Sequence, residues 1–221
     1  IQTLLEKSFA SYLISSGRKK ASKTARKKFG SDLEHLWMDF LDHMDFLAQE
    51  GFVTQEGKLT PDGLWASKLR IDSPLLVAQS IRDKLLPDRE PALLAAIMAA
   101  FVNEKEFRDD PLYRISLSKQ LKQTFLDLRK GLKPFAIKML KKGFSAPNLY
   151  IQPAFLAYAW AHDTPWDELM RKSDFPEGDF ARLMLRTAEN LRQVAKIDED
   201  FPCLAATARQ AVDLILKEPI I

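Results

Sequence analysis

Four side chains along one stretch of the sequence have the chemistry to hold a phosphodiester strand: Arg182, Arg186, Glu189 and Gln193. On a helix, residues at i, i+4, i+7 and i+11 share a face. A guanidinium grips phosphate in a fork or stacks on a base, and Glu and Gln accept hydrogen bonds from base or ribose donors. The row therefore suits contact with a single strand. The same spacing also describes a solvent face stitched by Arg186 and Glu189 at i, i+3. The residues alone leave both readings open.

Cationic chemistry is concentrated in two further places. Between positions 18 and 28, Arg18, Lys19, Lys20, Lys23, Arg26, Lys27 and Lys28 occur with no acid, a local charge of +7. From Arg114 to Lys142 nine basic residues stand against one acid, Asp127, a local charge of +8. The whole chain carries only +3, so the remainder is strongly acidic. Such segregation marks a surface that meets a polyanion, or else a solvated charged face.

Other chemistry is missing. The eight glycines form neither G-x-x-x-x-G-K-[ST] nor G-x-G-x-x-G, so nothing cradles a nucleotide's phosphates in the known ways, and no cofactor is expected on this chain. No G-x-S-x-G or H-E-x-x-H occurs, and we expect no catalytic residue. Cys203 has no histidine nearby to activate it and reads as a small buried apolar residue. His35, Asp39, Asp42 and His43 share a helical face at metal-ligand spacing, but that face lies opposite an apolar stripe and reads as wet; no metal site is expected.

The elements that must position the row follow from apolar periodicity and turn chemistry. After Phe175-Pro176-Glu177-Gly178-Asp179, the stripe Phe180, Leu183, Met184, Thr187, Ala188, Leu191 and Val194 predicts a helix over Gly178 to Lys196 that packs this stripe on a core. Ser31 and Asp32 can cap a helix with apolar face Leu33, Leu36, Trp37, Phe40, Leu41, Met44 and Leu47, ended by Gly51. Phe52, Val53 and Leu59 around Gln55-Glu56-Gly57 predict one short hairpin.

Thr60-Pro61, Ser73-Pro74, Asp110-Pro111 and Thr164-Pro165 each pair a capping side chain with a proline that fits a first turn. Helices are predicted over Leu64 to Leu69, Leu75 to Leu85, a buried one over Leu93 to Val102, Leu112 to Lys142, Asn148 to Ala161, Trp166 to Arg171 and Leu204 to Leu216. Gly131 and Pro134 should kink or divide the fourth of these.

The fold class is all-α: a bundle of many short helices with one small wing-like hairpin. With 221 residues, 46% of them hydrophobic, and one cysteine, the chain can bury a large core without disulfides. No run of about 18 apolar residues is present, so we expect no membrane partner and a cytoplasmic location. Ile1, Leu4, Leu5, Ser8, Phe9 and Leu13 enter an amphipathic pattern at once, which reads as a fragment of a longer protein.

Several ordered stretches resemble a known family. Leu47-Ala48-Gln49-Glu50-Gly51-Phe52, Gly57-Lys58-Leu59-Thr60-Pro61-Asp62-Gly63 with Ala66, Ser73-Pro74-Leu75-Leu76, and Leu93-Leu94-Ala95-Ala96 to Phe101-Val102 look like the DSHCT domain. That is the C-terminal helical domain of exosome-associated-type DExH-box (superfamily two) RNA helicases. The similarity continues through Trp160 to Leu169 and is sharpest at Glu177-Gly178-Asp179-Phe180-Ala181-Arg182 through Arg186, Glu189, Leu191, Arg192 and Gln193. Leu5-Glu6-Lys7-Ser8-Phe9 resembles the stretch that follows the family's winged-helix domain.

The resemblance implies residues 1–30 as the end of the preceding helicase region plus a basic linker, and 31–221 as a helical bundle closing over two motor domains of the same chain. ATP and Mg would belong to those motor domains, making the parent a hydrolase. One helix, Gly178 to Lys196, would line the channel for single-stranded RNA or DNA like a ratchet, with Arg186 and Glu189 touching the strand. The alternative is an α-helical adaptor whose basic segments dock an acidic protein partner.

Overall fold

The computed structural model describes residues 23–107, 118–173 and 175–221. Nine α-helices and no strands occur among them, in two compact units that divide between Thr60 and Pro61. The all-α class is as predicted.

The first unit contains α1 (Lys23–Gln49) and the hairpin. Helix α1 begins upstream of the predicted Ser31-Asp32 cap, because Lys, Arg and Ala before it propagate helix well enough to carry the chain through Gly30. Its end is as predicted. Gly51 takes φ +79°, Phe52 N–H donates to Leu47 O at 2.8 Å, and Gly51 N–H donates to Ala48 O at 3.2 Å, a Schellman cap that needs glycine.

The predicted apolar face of α1 is partly covered: Trp37, Phe40, Met44 and Leu47 are half-buried, Leu36 and Leu41 are 50% and 41% exposed, and Phe46, outside the predicted stripe, is buried. Among the described residues of this unit the short hairpin packs on α1, reaching Met44 through Gly57. The hairpin closes on a single antiparallel bridge, Val53 to Leu59. Thr60 donates its hydroxyl to Gly51 O at 2.7 Å, fastening the hairpin's base.

The second unit comprises α2 (Pro61–Ala66), α3 (Pro74–Arg82), α4 (Pro91–Val102), α5 (Lys119–Lys141), α6 (Ile151–Ala161), α7 (Trp166–Lys172), α8 (Glu177–Val194) and α9 (Pro202–Ile215). Helix α4 is its axis. Every residue from Leu93 to Val102 is buried, as an all-apolar helix requires, and α5, α6, α8 and α9 pack around it.

Two predicted caps differ, and α5 does not divide. Helix α5 runs through Gly131 and Pro134 without dividing; Gly131 is where Leu85 presses against the helix, its Cδ1 only 2.6 Å from where a Cβ would stand. The cap of α5 is Ser118, whose side chain accepts from Leu121 N–H at 3.1 Å, while Asp110-Pro111 lies outside the described residues. Ser73 does not cap α3 with its hydroxyl: it sits at φ 50°, left-handed, and Pro74 alone sets the first turn. Likewise Thr164 does not cap α7, because Pro165 takes the N-cap position.

Cys203 is exposed, contrary to the sequence expectation. It occupies the first turn of α9 beside Leu204 and Ala205, which are the ones turned inward.

Candidate functional site

Helix α8 is built to hold one face still. Glu177 and Asp179 in its first turn complement the helix dipole. Phe180, Leu183, Met184, Thr187, Ala188, Leu191 and Val194 are all buried, the whole predicted stripe. Behind its N-terminal half, Trp160, Trp166 and Phe180 meet edge-on or tilted, with centroids 5.4 to 6.2 Å apart. Trp160 is itself fixed by its indole N–H on Ile215 O at 2.8 Å. Rotating α8 would bury charge and expose this stripe, so its outer row has a fixed address.

Arg182, Arg186, Glu189 and Gln193 lie together on the outer face. Arg182 is the most open, its side chain 73% exposed and paired loosely with Asp179 at 3.7 Å. Gln193 donates to Glu189 Oε1 at 2.9 Å, and Arg192 approaches the other Glu189 oxygen at 3.7 Å. The predicted Arg186–Glu189 stitch is replaced: Arg186 reaches across to Asp72 and Glu104, at 2.8 Å each.

Those two carboxylates differ in kind. Asp72 is held by Asn190, a buried amide within the apolar stripe. Asn190 Oδ1 accepts from Asp72 N–H at 2.8 Å, and Nδ2 donates to Asp72 Oδ2 at 2.9 Å and to Arg186 O at 2.9 Å. With Arg186 Nη2 on Asp72 Oδ1, both carboxylate oxygens are used. The left-handed Ser73 follows at once, so this knot also fixes the entry to α3. Glu104, by contrast, is 79% exposed. The guanidinium's hydrogen bond to Glu104, and the charge and hydrogen bond of Asp72, raise the Arg186 pKa above its ordinary value against the opposing effect of burial.

Two clefts flank the Arg186–Glu104 contact. One, of about 430 Å³, is bordered by Asp72, Asn103, Asn148 and Tyr150. The other, of about 360 Å³, is bordered by Lys105, Phe175, Asp179 and Arg182. Lys105 stands over the Phe175 ring at 4.8 Å. The site thus gathers guanidinium and ammonium groups able to take phosphate, with Lys105 held over the buried Phe175 ring.

Sequence reasoning missed Asp72, Asn190 and Glu104. Only Asn190 left a signal, a polar residue four positions after Arg186 on the side that should be apolar. Of the basic run, Arg18, Lys19 and Lys20 lie outside the described residues, and Lys23, Arg26, Lys27 and Lys28 fall in the first turns of α1. Asp39, Asp42 and His43 are exposed, and His43 Nδ1 lies 2.6 Å from Asp39 O. Gly51, Gly57 and Gly143 take left-handed backbone in helix ends and a turn, and Gly131 is a close-packing point on α5. No described helix is long and apolar enough to cross a membrane.

Comparison with known proteins agrees with this architecture. The DSHCT (NUC185) domain profile matches residues 56–221. The chain is 32% identical over 166 residues to the DExH-box ATP-dependent RNA helicase DExH15, chloroplastic, of Arabidopsis thaliana, covering 72% of this chain and 14% of the relative. It is 25% identical over 134 residues to the DExH-box ATP-dependent RNA helicase DExH11 of the same plant, covering 59% of this chain and 10% of the relative. The chain therefore spans a small part of the length of these relatives. A profile match that runs from the hairpin through the last residue of the bundle establishes the family: the chain belongs to the DSHCT family, whose domain it shares with these DExH-box RNA helicases.

Proposed function

We propose that this domain guides a single nucleic-acid strand, RNA by its kinship, within an ATP-dependent DExH-box helicase whose motor domains hold ATP and Mg. The observation that carries this reading is α8. Its seven-residue stripe is buried, so Arg182, Arg186, Glu189 and Gln193 stand as a fixed row beside two clefts.

The geometry suits holding a strand without reading its sequence. Asp72 and Asn190 aim Arg186, and the exposed Glu104 carboxylate occupies the guanidinium's remaining edge at 2.8 Å. A strand phosphate is the same shape of acceptor, so it exchanges for Glu104 rather than for Asp72. Arg182 supplies a second cation one turn away.

The test is made in the full-length helicase. Arg186→Ala with Glu189→Ala should slow unwinding more than strand-stimulated ATP hydrolysis, because the row touches the strand and not the nucleotide. Equal loss of both activities would refute the reading.

A further inference from the structure

Away from α8, a groove of about 830 Å³ runs between α5 and the segment from 146 to 150. Its formation follows from a cap. Gly143 takes φ +81°, Phe144 N–H donates to Met139 O at 2.9 Å and Gly143 N–H to Leu140 O at 3.0 Å, so the chain leaves α5 in a Schellman turn and doubles back beside it.

The groove has a distinctive chemistry. Leu76, Leu126, Leu132, Leu140 and Leu149 contribute to its lining, with Leu126 and Leu140 37% and 59% exposed. These two stand about 20 Å apart along the helix axis, on a rise of ~1.5 Å per residue. Arg129, Lys130 and Lys133 form its rim, and none of the described residues lining it is acidic. Lys130 and Lys133 are exposed and have no ion-pair partner among the described residues. Exposed aliphatic surface edged by cations of one sign is unusual for a bare face.

We infer that this groove docks an acidic peptide segment bearing aliphatic anchors. Charge complementarity selects an anion. The aliphatic floor selects a peptide over a nucleic-acid strand, because bases stack on aromatic faces. The aromatic residues here are already engaged: Tyr150 meets Phe107 at 5.1 Å, and Phe107 meets Phe175 at 5.7 Å. An amphipathic helix would lay leucines at i, i+7 and i+14, a span of about 21 Å, on Leu126 and Leu140 while its glutamates face Lys130 and Lys133. The anchoring leucines and lysines lie on α5 and not α8, while Asn148 and Tyr150 border both this groove and one of the α8 clefts.

The probe is a fluorescent helical peptide of glutamates with leucines at i, i+7 and i+14, followed by anisotropy on the 221-residue chain. The expected result is saturable binding, weakened at least tenfold by Lys130→Glu with Lys133→Glu, and comparably by Leu140→Ser. Replacing the peptide's leucines with serine should abolish it. These positions are exposed, so thermal melting should be unchanged in the variants. Absence of binding overturns the inference. So does binding that survives loss of the leucines, which would be charge alone, or displacement of the peptide by oligouridylate with equal affinity, which would make the groove a strand-binding surface.

Discussion

Arg186 is held by one carboxylate that is fixed and one that is not, and that asymmetry decides what each substitution should do. Asn190 makes three hydrogen bonds in a buried setting, so Asn190→Ala should cost about 1–3 kcal/mol of stability by orphaning Asp72, read as a lowered urea midpoint. Glu104→Gln should leave stability nearly unchanged and tighten strand binding, because an exposed competitor for the guanidinium loses its charge. Equal or weaker strand binding by Glu104→Gln would show that the carboxylate does not compete. The row was legible in the sequence as spacing. Its partners were not, because Asp72 and Glu104 come from loops far away in the chain, and spacing along one helix carries no information about what the fold brings against it.

At the scale of elements, helix ends explain both where the sequence was readable and where it misled. Gly51 was legible because a Schellman cap demands a left-handed residue, and glycine is its cheapest occupant. Ser73 and Thr164 misled because a hydroxyl before a proline is only a local preference, and the turns around them have other work. Gly143 sits at φ +81° in the turn that shapes the α5 groove, so Gly143→Val should destabilise by about 1–2 kcal/mol, checked by thermal melting.

The end of α6 uses no glycine. Asp163 takes φ 59° there and pairs with Lys217, which also donates to Trp160 O at 2.8 Å. The hydrogen bond from Lys217, followed by its charge, holds the Asp163 carboxyl below the usual carboxylate range. A depressed folded-state pKa stabilises above the unfolded value of about 3.9 and is lost as pH falls through the folded one. Asp163→Asn, which tolerates the same backbone, should therefore melt below the parent at neutral pH, with the gap closing in acid. A gap that persists below the carboxylate range would assign the effect to the backbone.

Across the whole molecule, the two cationic stretches sit on different units. The described residues of one, Lys23 to Lys28, fall at the start of α1 in the first unit, and those of the other lie on α5 and at its end in the second. Periodicity made α4 and α8 legible because their apolar patterns are complete: all-round for a central helix, one-sided for a packed one. The face of α1 was misjudged, since amphipathicity predicts a need for cover without saying what supplies it. If the basic run from Arg18 to Lys28 meets a strand, replacing its seven cations with glutamine should flatten the salt dependence, which otherwise falls at a slope of about −0.7 per phosphate neutralised. An unchanged slope would assign the run to solvation or to a protein partner.

The strand-guiding role of α8 is tested most directly by pairing strand affinity with melting temperature for Arg186→Ala, Glu104→Gln and the core variant Leu191→Ala. Affinity for single-stranded oligouridylate should fall by about 1–3 kcal/mol for Arg186→Ala and rise for Glu104→Gln. Leu191, fully buried, should cost about 2–5 kcal/mol of stability when truncated, well beyond either charge variant. If Arg186→Ala instead melts as low as Leu191→Ala while strand affinity is unaltered, Arg186 is a structural residue and α8 does not hold the strand.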